Sequence, residues 1–180
     1  MGGTIWHITM SLDGFIAGPD HAMEWAFDNA PDDPEADRLK DGTGAVLGGR
    51  GWYDAAARLY DGVDGIYGGA WTGPVFVLTH RTLDLPDDPK VTFVASGLAE
   101  ALAAARTAAG DRNVEIFGAT VARECLAAGE LDEIIVHIAP ILLGDGVRMY
   151  GPPPAPRVPL ELTQTRPHHQ SVSLRYSVKR

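Results

Sequence analysis

The sequence predicts an α/β fold: a mainly parallel central sheet flanked by helices, finished by an antiparallel strand pair at the C-terminus. Two observations predict it. Short apolar runs alternate with helical stretches through most of the chain, the pattern of parallel strands joined by helical crossovers. The last two strand-like runs have only a short polar loop between them, which suits an antiparallel pair.

Each element follows from local residues. Thr4 to Ser11 is rich in Ile, Trp and Thr and stops at the turn pair Asp13-Gly14, so it reads as the first strand. Phe15, Ile16 and Ala17 return to apolar character before Gly18-Pro19-Asp20 breaks the run. The acidic, proline-containing stretch 28–37 reads as a solvated loop leading into a short helix over 35–40. Residues 45–48 make a buried strand, and 52–60 suits a helix through Ala55, Ala56 and Ala57. The Gly-rich stretch 61–73 is expected to lack regular structure and to act as a mobile lid or a substrate wall. Strands follow at 75–79 and 91–95, then an Ala-rich helix over 98–109 that ends at Gly110. A strand at 114–117, a helix at 120–128 and a strand at 133–138 come next. A loop with Gly144 and Gly146 leads to the closing strands at 160–165 and 172–178.

The chain has 180 residues and a mass of 19.2 kDa, which suits one domain. Its formal net charge of -9 argues against nucleic-acid binding, which needs a broad basic face. A local basic site for a small anion is compatible with that charge. The single Cys125 permits no intrachain disulfide and is expected to pack as a small hydrophobe. No basic head with an apolar run opens the chain, and no stretch is long and apolar enough for a membrane helix, so the expectation is a cytoplasmic protein without a membrane partner.

In a parallel sheet, ligands sit outside the carboxyl ends of the strands. Three such ends carry anion-friendly chemistry. Gly48-Gly49-Arg50-Gly51 combines glycines that let backbone approach a ligand with a guanidinium suited to phosphate. It is not a dinucleotide fingerprint, because Asp54 stands where the third glycine belongs. Thr79-His80-Arg81 places a hydroxyl, an imidazole and a guanidinium past another strand. Gly118-Ala119-Thr120-Val121 opens a helix, with Thr120 as its expected cap. No metal set is indicated: His168 and His169 lie in a loop without partners at ligand spacing and are expected to face solvent, and His137 is expected to be a satisfied core or interface residue.

The stretches "MSLDGFIAG", "AVLGGRGWYD", "VFVLTHRTL" and "VSLRYSVKR" together resemble the dihydrofolate reductase superfamily, and within it the reductase domain of riboflavin-biosynthesis deaminase-reductases. The most specific stretch is "LDEIIVHIAPILLGDGVRMY", similar to the family's Leu-x-Asp-Glu strand followed by a Pro-x-x-x-Gly-x-Gly loop. The resemblance covers nearly the whole chain. It implies a three-layer dihydrofolate reductase-like fold and an NADPH-dependent reductase acting on a small heterocyclic, pyrimidine-type substrate. Dihydrofolate reduction and non-catalytic NADPH binding are the alternatives.

By motif match, Gly49 and Arg50 would face the cofactor phosphates. Thr79, His80 and Arg81 would lie near the adenosine ribose and its 2′-phosphate. Gly118, Ala119, Thr120 and Val121 would line the pyrophosphate, and Thr9, Ile16 and Ala17 would border the nicotinamide. Asp13 and Trp25 match the active-site loop, with Asp13 as the candidate for assisting proton transfer. Trp52 stands where relatives carry Thr after the Gly-Arg turn, and Ala30 stands where dihydrofolate reductases carry a carboxylate. The resemblance also implies a homodimer, with strand 134–138 and its loop as interface material.

Overall fold

The structure is a computed structural model that describes residues 2–27, 34–81, 86–152 and 154–179. The chain begins with β1 (Thr4–Ser11) and β2 (Phe15–Ala17), then the short α1 (Glu24–Phe27) and α2 (Pro34–Gly42). It continues through β3 (Thr43–Gly49), α3 (Arg50–Leu59), β4 (Val75–Leu78), β5 (Val91–Val94) and α4 (Leu98–Ala109). The second half runs β6 (Asn113–Phe117), α5 (Ala119–Ala128), β7 (Glu133–Ala139), β8 (Val147–Arg148), β9 (Leu160–His168) and β10 (Ser171–Val178).

Eight strands form one sheet in the order β5-β4-β3-β6-β1-β7-β10-β9, and β2 pairs with β8 in a small separate ladder. The first six strands of that order are mutually parallel, while β10 runs antiparallel to both β7 and β9. Consecutive residues of the inner strands supply opposite faces, as the pleat demands. Leu47 packs with Trp6, Ile116 and residues of α4 and α5, whereas Val46 packs with Tyr53, Val63, Ile66 and Trp71. Both faces are therefore buried, and the middle strands read as continuous apolar runs.

Two expectations change. Residues 61–73 are regular only in part: Gly62–Gly69 forms 3-10 turns, interrupted by non-helical backbone at Ile66, Tyr67 and Gly68. Val63, Ile66 and Trp71 are buried, and Trp71 Nε1 donates to the Thr43 carbonyl at 3.1 Å. The segment is thus a packed wall, because Val63, Ile66 and Trp71 find the core. Strand 134–138 is not an outer face. It lies within β7, paired on both edges, with Ile134, Ile135 and Val136 buried inside one chain. The acidic loop of 28–33 lies outside the described residues, and with it Ala30.

Candidate functional site

Because six strands run parallel, their carboxyl ends meet on one edge of the sheet. There a cavity of about 800 Å³ opens, and it touches all three anion-friendly corners. The corners are neighbours by register: Gly49 pairs with Leu78 at the end of β4, and Gly48 pairs with Phe117 at the end of β6. Thr9, Ile16 and Ala17 line the same cavity from β1 and β2.

At the first corner α3 starts at Arg50, two residues earlier than its sequence suggests, with Gly49 as an N-cap that has no side-chain cap. Its free amides and positive dipole end sit at the cavity. Arg50 Nε donates to Asp54 Oδ1 at 2.6 Å, while its Nη1 is buried with no hydrogen-bond partner among the described residues. Trp52 fills the place of the expected threonine and packs edge-on against Phe117, centroids 5.0 Å apart. At the third corner the N-cap of α5 is Gly118 rather than Thr120, and its φ of 90° is a conformation that favours glycine. Thr120 instead sits exposed in the first turn, while Ala119 and Val121 are buried beside it.

The second corner divides its labour. Thr79 is buried and its Oγ1 accepts the Arg81 N–H at 3.0 Å, closing the turn. His80 and Arg81 are exposed at the cavity rim. The Thr79 hydroxyl therefore shapes this corner, and the two cationic-type side chains remain for a ligand.

Asp13 and Trp25 do not line the cavity. The Asp13 carboxylate accepts the Ser11 hydroxyl at 2.6 Å and the amides of Leu143 and Gly144 at 3.1 and 2.7 Å. Chiefly through Ser11, these donors hold its pKa down to about 2. A carboxylate so occupied is a brace, not a proton donor, and what it braces is the loop after β7. Trp25 is tied locally, Nε1 donating to the Ala22 carbonyl at 3.1 Å, while its neighbours Met23 and Ala26 face the cavity.

A polar cluster lies in the same cavity, and of its members the sequence singles out only His137. Glu115 of β6 is 2% exposed, yet its carboxylate accepts the Tyr67 hydroxyl at 2.9 Å and the Thr43 hydroxyl at 2.8 Å. His7 Nδ1 stands 3.2 Å from Glu115 Oε1, and His7 Nε2 stands 2.7 Å from His137 Nε2. His137 Nδ1 lies 2.5 Å from Ser173 Oγ, its register partner across β7 and β10. Burial and the Glu115 charge push the Tyr67 hydroxyl well above its ordinary range, so it is a donor. The available signal was a carboxylate inside an apolar strand, together with two strand histidines. Only the register places these on one face.

His168 differs from expectation, whereas Cys125 packs as expected. His168 is half-buried and lines the cavity, whereas His169 is exposed. Cys125 is fully buried, and burial pushes its thiol up to about 12, as an inert packing residue requires. Among the described residues no group of three His, Cys, Asp or Glu side chains could hold a metal ion, and no helix is long and apolar enough to cross a membrane.

Residues 4–174 match the RibD C-terminal domain family. This chain belongs to that family. It is similar to the uncharacterized protein YwjB of Bacillus subtilis, with 25% identity over 96% of each chain. It also resembles the solved structure of a "putative riboflavin biosynthesis protein" from Shewanella sp. PV-4, with a TM-score of 0.82, 24% identity and 99% of each chain covered. The deaminase/5-amino-6-(5-phosphoribosylamino)uracil reductase of Thermotoga maritima matches with a TM-score of 0.66 and 16% identity; 99% of this chain covers 57% of that one. Dihydrofolate reductase from Enterococcus faecalis, solved with NADP(H), matches with a TM-score of 0.64 and 14% identity over 99% of this chain and 98% of that one. This member of the RibD C-terminal domain family has the dihydrofolate reductase-like fold.

Proposed function

We propose that this chain is an NADPH-dependent reductase that transfers hydride to a pyrimidine-type substrate, akin to 5-amino-6-(5-phosphoribosylamino)uracil. The observation that carries the reading is the convergence of three strand-end corners and the Thr9, Ile16, Ala17 wall on one cavity. Family membership supports the reaction class, and relatives on this fold include a uracil-derivative reductase and a structure holding NADP(H).

The residues suit the cofactor. The buried, unpartnered Arg50 Nη1 is a donor that a phosphate oxygen would satisfy, at the uncapped start of α3. Gly118 and the first amides of α5 would take the pyrophosphate. His80 and Arg81 would take the adenosine ribose and its 2′-phosphate. When bound, the nicotinamide supplies the hydride. The chain's own share is to orient it against the substrate and to exclude water with the Ile16, Ala17, Met23 and Tyr67 walls.

Calorimetry against NADPH, NADH and FMN tests the cofactor, and NADPH oxidation with the uracil derivative or with dihydrofolate tests the substrate. NADPH is expected to bind best. Arg50→Ala is expected to weaken it by roughly 10-fold or more, the scale of one charge-assisted hydrogen bond. No binding of NADPH by the wild-type chain, or unchanged affinity in Arg50→Ala, overturns the corresponding assignment.

A further inference from the structure

Hydride transfer to a C=N or C=O group leaves a proton still to be delivered to the heteroatom. We propose that Ser173 delivers it, re-supplied by His137, in a relay whose direction is set by the buried Glu115–His7 pair. This inference rests on the reductase reading above.

Hydrogen-bond bookkeeping carries the argument. The Glu115 carboxylate accepts the Tyr67 hydroxyl, and the single Thr43 hydroxyl hydrogen is shared between it and the Leu39 carbonyl, 2.8 and 2.7 Å away. It is therefore an acceptor toward His7, whose Nδ1 lies 3.2 Å from Glu115 Oε1 and 3.1 Å from the Tyr67 oxygen; with the Tyr67 hydrogen donated to Glu115, both oxygens face Nδ1 as acceptors and place a proton there. In the Nδ1–H tautomer, His7 presents a bare Nε2. His137 Nε2, 2.7 Å away, must supply the proton between the two rings, because two N–H groups cannot face each other at that distance. The nitrogen of the pair left to gain and lose a proton is His137 Nδ1, 2.5 Å from Ser173 Oγ.

The step balances. With His137 protonated, its Nδ1–H donates to Ser173 Oγ, and the Ser173 O–H donates to the substrate nitrogen or oxygen. As hydride reaches the adjacent carbon, the π bond opens toward the heteroatom. The Ser173 proton moves to that atom, and the His137 Nδ1 proton moves to Ser173. NADPH becomes NADP⁺, the substrate gains two hydrogens, and His137 is left neutral, accepting from Ser173. A solvent proton restores it. Ser173 is the catalytic residue of this scheme; His137, His7 and Glu115 are positioning residues.

The test uses the full chain with NADPH and 5-amino-6-(5-phosphoribosylamino)uracil. His137→Gln keeps a donor toward His7 but has no nitrogen that titrates, and Ser173→Ala removes the terminal hydroxyl. Both are expected to lower kcat by roughly 10²-fold, with KM and NADPH affinity near wild type. The wild-type solvent deuterium isotope effect is expected to change in both. Nitrogen-15 NMR of the wild-type chain, which needs no variant to fold, is expected to find His7 protonated on Nδ1. Wild-type turnover in both variants, or His7 protonated on Nε2 instead, overturns the relay. Failure of the wild-type chain to bind NADPH is a separate result, visible before any variant is made, and overturns the cofactor reading on which the relay rests.

Discussion

Asp13 turns a candidate acid into a brace. Its carboxylate is satisfied by Ser11 Oγ and by two backbone amides of the loop after β7, and the folded-state pKa is about 2 against an ordinary 3.8. A depressed carboxylate contributes stability above its unfolded value, and the contribution is lost as pH falls through the folded value. The urea midpoint of the wild-type chain should therefore drop between about pH 4 and pH 2 more steeply than that of Asp13→Asn. Parallel curves for the two proteins would show that the brace contributes nothing. The Asp13-Gly14 pair was legible as a turn. Its backbone partners were not, because Leu143 and Gly144 lie 130 and 131 residues away along the chain.

At the scale of elements, the braced loop has a second anchor. Gly146 has a φ of 130°, and a Cβ placed there would lie 2.1 Å from the Ala17 carbonyl oxygen. That close approach seats β8 against β2, so the wall carrying Ile16 and Ala17 depends on it. Gly146→Ala combines backbone strain with a clash against main chain, at a cost of about 3 kcal/mol. For a chain of this size that corresponds to a melting temperature lowered by roughly 6–12 °C, measurable by thermal unfolding. A wild-type melting temperature would mean that the loop yields without loss. The Gly-x-Gly signature was plain in the sequence, whereas its contact with Ala17 needed the two-stranded ladder to be seen. The wall of 61–73 was misread for a related reason. Its glycines hid three apolar side chains, Val63, Ile66 and Trp71, whose spacing matches neither a helix nor a strand.

At the scale of the whole molecule, a net charge of -9 coexists with Arg50, His80, Arg81 and Arg123 around one cavity. An anion entering this cavity would meet local donors rather than a positive overall field. A ligand that binds only the folded chain stabilises it by mass action, about 2.7 kcal/mol at 100 times Kd. Saturating NADPH should then raise the melting temperature by roughly 5–10 °C, with NADH and FMN raising it less. No shift with NADPH would place the three corners outside cofactor binding.

The alternation of apolar runs and helices determined the α/β class, the parallel sheet and its antiparallel finish, because burial on both faces leaves a signature in each strand separately. The strand-end rule likewise determined where Gly49, Arg50, His80, Arg81 and Gly118 would gather. Tertiary structure alone decided the proton-handling cluster. Thr43, Tyr67, Glu115, His7, His137 and Ser173 come from five strands and one 3-10 segment, and each looks ordinary in its own neighbourhood. Strand order and register bring them within hydrogen-bonding distance, and long-range pairing of that kind is written in no local stretch of chain.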